Sequence, residues 1–205
     1  MAVFLHGRGG ERPDPAWIDD LAALGATLFS HRPLEGVEAT TASLSDLGAL
    51  CQSVATTAPG QPLLILGHSL NPGQAEFEAL HALACETTGA AAITAFTNAV
   101  PEHNPFAGLE ADMLDPETRA RLVALLGSGR LLPAGHWPEA LLLLTADAVN
   151  TLADPALSWP EAPARLRAQG VSLKLADWIW VESPVDEISA EARLHPHEER
   201  RPKPW

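Results

Sequence analysis

Four consecutive aliphatic residues, Leu63 to Leu66, lie between two strings of turn formers, "PGQP" before them and "NPG" shortly after. A run of that kind marks a strand buried on both faces, because a one-sided strand interleaves polar residues at every second position. Such a strand needs cover above and below, which is the requirement of an α/β layer structure. The sequence ahead of it supplies suitable pieces. Residues 2–5 (AVFL) and 26–31 (ATLFSH) read as strands, and "AWIDDLAAL" reads as a helix opened by Asp14 and Pro15 and ended by Gly25. Ser43 is expected to open an amphipathic helix with Leu44, Leu47, Leu50, Cys51 and Val54 on one face.

Beyond the run, "QAEFEALHALACE" carries Phe77, Leu80 and Ala84 at helical spacing, and "AAAITAF" is strand-like. Asp115 and Pro116 cap a helix through Leu126, "ALLLLT" (140–145) is a further strand, and Ser158 with Glu161 forms a capping box ahead of "APARLRAQ". "VSLKLADWIWVE" alternates like a strand and places Trp178 and Trp180 on one face. Strand and helix signals therefore alternate, and the expected fold is a mostly parallel sheet with helices on both faces. Residues 1–190 are expected to form one α/β domain, followed by a tail of proline and charge at 191–205. The Pro- and Asn-rich loop near 98–114 is the candidate for an internal boundary within the domain.

Charge narrows the function. Thirteen Lys and Arg against 26 carboxylates give a formal net charge of −13, which opposes a nucleic-acid partner, since phosphate binding needs clustered bases. No apolar run approaches the roughly 18 residues of a membrane span, and the first residues lack a basic segment ahead of a long apolar one, so a cytoplasmic protein is expected. Cys51 and Cys85 fall in helical patterns where free buried thiols are common, and no metal spacing links them.

The stretch "LLILGHSLNPG" admits two readings. As a nucleophile elbow it presents Ser69 above the sheet, with Gly67 two residues earlier giving the backbone room to turn. The position two residues later is Asn71 instead of Gly, so the match is incomplete. "LHGRGG" resembles the oxyanion loop of α/β-hydrolases, Asp147 stands where the acid of a triad is expected, and His195 or His197 is the candidate base. Without those partners, Ser69 is a strand-end hydroxyl, His68 a turn residue, and His6 a structural contact that orients the loop after it.

The second reading covers more of the chain. "LLILGHSLNP", "AAAITAFTNAVPEHNP", "LPAGHWPEALLLLTADAVNTLADPALSW" and "ARLRAQGVSLKLADWIWVESP" follow one another in the order of the core segments of family 2 glycosyltransferases. From about residue 60 to 190 the chain resembles that family, which implies the three-layer glycosyltransferase A fold and, in active members, a nucleotide-sugar donor with a divalent cation on its diphosphate. The resemblance puts the cation-binding Asp of the family on Ser69. It puts the catalytic base on Trp159, leaving Glu161 as the surviving carboxylate of that motif, and the late metal-binding His on Ser183, beside Glu182.

A hydroxyl cannot replace a carboxylate as a counter-charge, so the resemblance implies a degenerate member that has lost metal-dependent transfer. Ser69 and Glu161 remain the candidate site residues, with no metal and no cofactor unless transfer survives. The expected partner is a protein, either an active glycosyltransferase or a second copy of the chain. Trp178 and Trp180 are candidates for core or interface.

Overall fold

The computed structural model describes residues 1–6, 15–34, 36–67, 70, 72–107 and 113–183. Among the described residues, eight strands form one mixed sheet: β1 (Ala2–His6), β2 (Thr27–Ser30), β3 (Thr40–Thr41), β4 (Leu63–Gly67), β5 (Ala92–Thr97), β6 (Leu131–Pro133), β7 (Leu141–Leu144) and β8 (Leu173–Val181). Their order across the sheet is β3-β2-β1-β4-β7-β5-β8-β6. Pairings within β3-β2-β1-β4 are parallel, as is β5 with β8. β7 is inserted antiparallel between β4 and β5, and β6 runs antiparallel to β8. The expected α/β sheet is present, mixed and not purely parallel.

The helices are α1 (Pro15–Ala23), α2 (Leu47–Thr57), α3 (Gln74–Glu86), α4 (Pro116–Leu126), α5 (Ala146–Leu152) and α6 (Ala162–Ala168), with short 3-10 turns at Pro101–His103 and Trp159–Glu161. Every residue of β4 is buried. Its alternate side chains feed two separate cores: Leu64 and Leu66 join Ile18, Leu21, Phe77 and Leu80 on one face. Leu63 and Ile65 join Leu50, Val54, Val149 and Leu166 on the other. Burying an aliphatic side chain of this size stabilises the fold by about 2 kcal/mol, so this one strand holds both layers.

The start of α2 differs from expectation. α2 begins at Leu47, because the Ser43 hydroxyl bonds the Ser45 hydroxyl at 2.7 Å instead of capping a helix. α5 is capped by Thr145, its side chain accepting from the Ala148 amide. Asp115 caps α4 as expected, accepting from the Thr118 amide at 2.8 Å, and the bond it accepts from the Thr118 hydroxyl, followed by that from the amide, holds its carboxyl below the usual range. Asp14 lies outside the described residues. Cys51 is buried and its thiol is pushed up to about 12 by desolvation, whereas Cys85 is exposed.

β8 carries an irregularity that the alternation hid. Its pairing with β5 jumps from Ala95↔Ala176 to Phe96↔Trp180, leaving Asp177 to Ile179 unpaired with β5. Trp178 packs on the core under α1 and α3, while Trp180 meets Phe106 edge-on at 5.4 Å. The two indoles therefore have separate surroundings. No helix among the described residues is long and apolar enough to cross a membrane.

Candidate functional site

From β1 the chain moves to β2 and β3 on one side and then returns to place β4 on the other. Open α/β sheets bind ligands outside the carboxyl ends of the strands at such a reversal, so the strand ends at His6 and Gly67 are where a site is expected. These two residues face each other in register. Both are tied to the segment leading into β7: the Gly67 amide donates to the Ala140 carbonyl at 2.8 Å, and the His6 Nε2–H donates to the Glu139 carbonyl at 2.6 Å. His6 stacks on Phe4 with ring centroids 6.0 Å apart. The loop after His6, which it was expected to orient, lies outside the described residues.

The reversed direction of β7 decides which residues share that edge. β7 starts opposite Leu66 and ends opposite Leu63, so it leaves the sheet at the amino end of β4. Thr145 and Asp147 follow it there, and Thr145 is anchored by donating to the Gly89 carbonyl at 2.9 Å while accepting from the Ala91 amide at 2.8 Å, just before β5. Asp147 is thus exposed at the edge opposite Gly67. Ser69, His68, Asn71, His195 and His197 lie outside the described residues. A triad built on Asp147 is not brought together by the described part of the chain.

α5 then runs back, and delivers "SWPE" to the carboxyl edge. The Trp159 amide donates to the Ser45 carbonyl at 3.1 Å, beyond the end of β3, and the indoles of Trp159 and Trp137 lie 5.6 Å apart. Trp159 is buried in the core beneath α2 and α5. Glu161 is exposed and accepts from the Ser158 hydroxyl at 2.6 Å and the Ser158 amide at 3.0 Å, which together hold its carboxyl below the usual range. The expected capping box is therefore formed, and it occupies the carboxylate.

Glu182 and Ser183 sit at the same edge, past the end of β8. Asn98 clamps the backbone of Ser183 from both sides, its Nδ2 donating to the carbonyl at 2.8 Å and its Oδ1 accepting from the amide at 2.6 Å. The Glu182 carboxylate accepts from Asn98 Nδ2 at 3.0 Å and from the Trp180 indole, and pairs with Arg119 at 3.3 Å. Whether these residues fit the divalent cation that the resemblance implies follows from this arrangement. A cation at Glu182 would face the guanidinium already there, and among the described residues no three His, Cys, Asp or Glu side chains gather as ligands. They do not fit it.

Sequence reasoning passed over Asn98, Arg119, Thr94 and His103. Their signal was available only as polar residues within or after "AAAITAF" and on the helix after Asp115, with nothing local to name partners up to 85 residues away. A cleft of about 220 Å³ also opens between α1 and the start of α3, lined by Trp17, Leu24, Pro72 and Phe77, and spanned by the Trp17 indole donating to the Pro72 carbonyl at 2.9 Å. It is below the roughly 300 Å³ of ordinary small-molecule sites. No family model and no curated protein sequence matches this chain.

Proposed function

We propose that the chain is a glycosyltransferase A-like protein of glycan assembly that has lost metal-dependent sugar transfer and acts in the cytoplasm as a noncatalytic subunit. One observation carries this reading: the carboxyl end of β4, the "SWPE" turn and the end of β8 lie along one edge of the sheet, while Asp147 leaves at the other. Those three segments are the ones that the glycosyltransferase resemblance assigns to a site. Their chemistry is spent on structure. Trp159 is core, Glu161 is held by Ser158, and Glu182 is held by Arg119 and Asn98. The serine hydrolase reading draws no comparable support, since Asp147 follows β7 at the edge opposite Gly67. The subunit's partner under this reading is a protein, an active glycosyltransferase or a second copy of the chain.

The test is turnover of nucleoside-diphosphate sugars with and without manganese, run beside labelling by a fluorophosphonate probe. No manganese-dependent transfer and no labelling are expected. Transfer that disappears in Ser69→Ala overturns the loss of activity, and labelling at Ser69 that needs His195 replaces the proposal with an esterase.

A further inference from the structure

The 3-10 turn Pro101–His103 closes the same edge between β5 and β7, and its last residue is the one buried histidine among the described residues, 3% exposed. Its Nδ1 lies 3.4 Å from the Thr94 hydroxyl oxygen. That hydroxyl has a single proton, which it donates to the Leu141 carbonyl at 2.9 Å, so the imidazole donates from Nδ1 and leaves Nε2 unprotonated. His136, from the segment leading into β7, meets the ring edge-on at 5.9 Å. The charged or titratable groups bearing on His103 are His136 and, from its own turn, the exposed Glu102. β5 and β7 present only the uncharged Thr94 hydroxyl and Leu141 carbonyl.

We propose that His103, backed by the edge-on ring of His136, forms a proton-operated latch, which holds the Pro101–His103 turn against β5 and β7 while the His103 ring is neutral and releases it when that ring takes up a proton. Release uncovers the carboxyl edge between β5 and β7. The latch is independent of the glycosyltransferase reading, because it needs only the buried ring and its neighbour.

Burial, and then the nearby His136, lower the affinity of His103 for a proton relative to its ordinary value of 6.5. The released state therefore binds the proton more tightly than the closed one. Closure is at full strength above the ordinary value and weakens as pH falls from there towards the depressed folded value. One proton taken up on release changes the opening equilibrium by up to about tenfold per pH unit in that window.

Hydrogen exchange reads this directly. The amides of His103 and Asn104 donate to Val100 and Pro101 within the turn, and their protection, corrected for intrinsic rate, is expected to fall several-fold between about pH 6.5 and 5.5. His103→Gln is expected to abolish that fall. His136→Asn, a change at an exposed position, is expected to reduce it. A flat wild-type profile, or an undiminished fall in His103→Gln, overturns the latch. Should His103→Gln fail to fold, the imidazole signal of His103 in the wild type decides: a titration midpoint at or above the ordinary value overturns it, and one below it that rises in His136→Asn supports it.

Discussion

The centre of the sheet and its α4 side are built on different principles. β1, β2, β4 and β7 lie between two apolar layers, and of the eight buried polar residues among those described, only Ser30 and Thr145 belong to that region. The other six, Thr94, Thr97, Asn98, His103, Asp177 and Ser183, sit on or beside β5 and β8. Buried polar groups need directed partners, while buried aliphatic groups need only volume. The centre is thus a packing problem, and the α4 side is a wiring problem in which each loss leaves another group unsatisfied.

The largest effect is expected where packing is tightest. A Cβ at Gly48 would lie 1.7 Å from the Asp154 carbonyl oxygen, so Gly48→Ala forces α2 away from the loop after α5. Urea unfolding should show a loss of about 3 kcal/mol, and a loss under about 1 kcal/mol would mean that the centre yields more than its burial implies. Next comes Asn98→Ala, which removes both clamps on Ser183 and one donor to Glu182. About 2 kcal/mol is expected, mostly from backbone groups left unpaired; a near-neutral result would show water replacing the amide and would erase the contrast between the two regions. Asp147→Asn should be the smallest, within about 0.5 kcal/mol in stability, because the side chain is exposed in the first turn of α5.

These two principles also decide what a reader of the sequence alone can recover. β4, α3 and the Asp115 cap are written locally, in a run of apolar residues, a helical period and a cap beside its proline, and each stands where it was expected. The direction of β7 is not local. "ALLLLT" describes a buried strand equally well either way up, yet its reversal sends Asp147 to one edge and Glu161 to the other. The same limit hid the Asn98 and Arg119 partners of Glu182, and the exposure of Cys85 on a helix whose period alone suggested burial. Ser43 misled for a different reason: a hydroxyl that suits a helix start had a second hydroxyl two residues on to bond instead.

The unpaired residues of β8 change the phase of the strand. Before them Leu173 belongs to the core under α2 and the even-numbered Ala176 to the core under α1; after them the odd-numbered Ile179 and Val181 take the latter place. A single-residue insertion or deletion at Asp177–Ile179 would therefore exchange inside for outside along the rest of β8, carrying Trp180 and Glu182 out of reach of Phe106 and Arg119. Chain length at this one point, more than the identity of any side chain in it, sets what the sheet displays at its far corner.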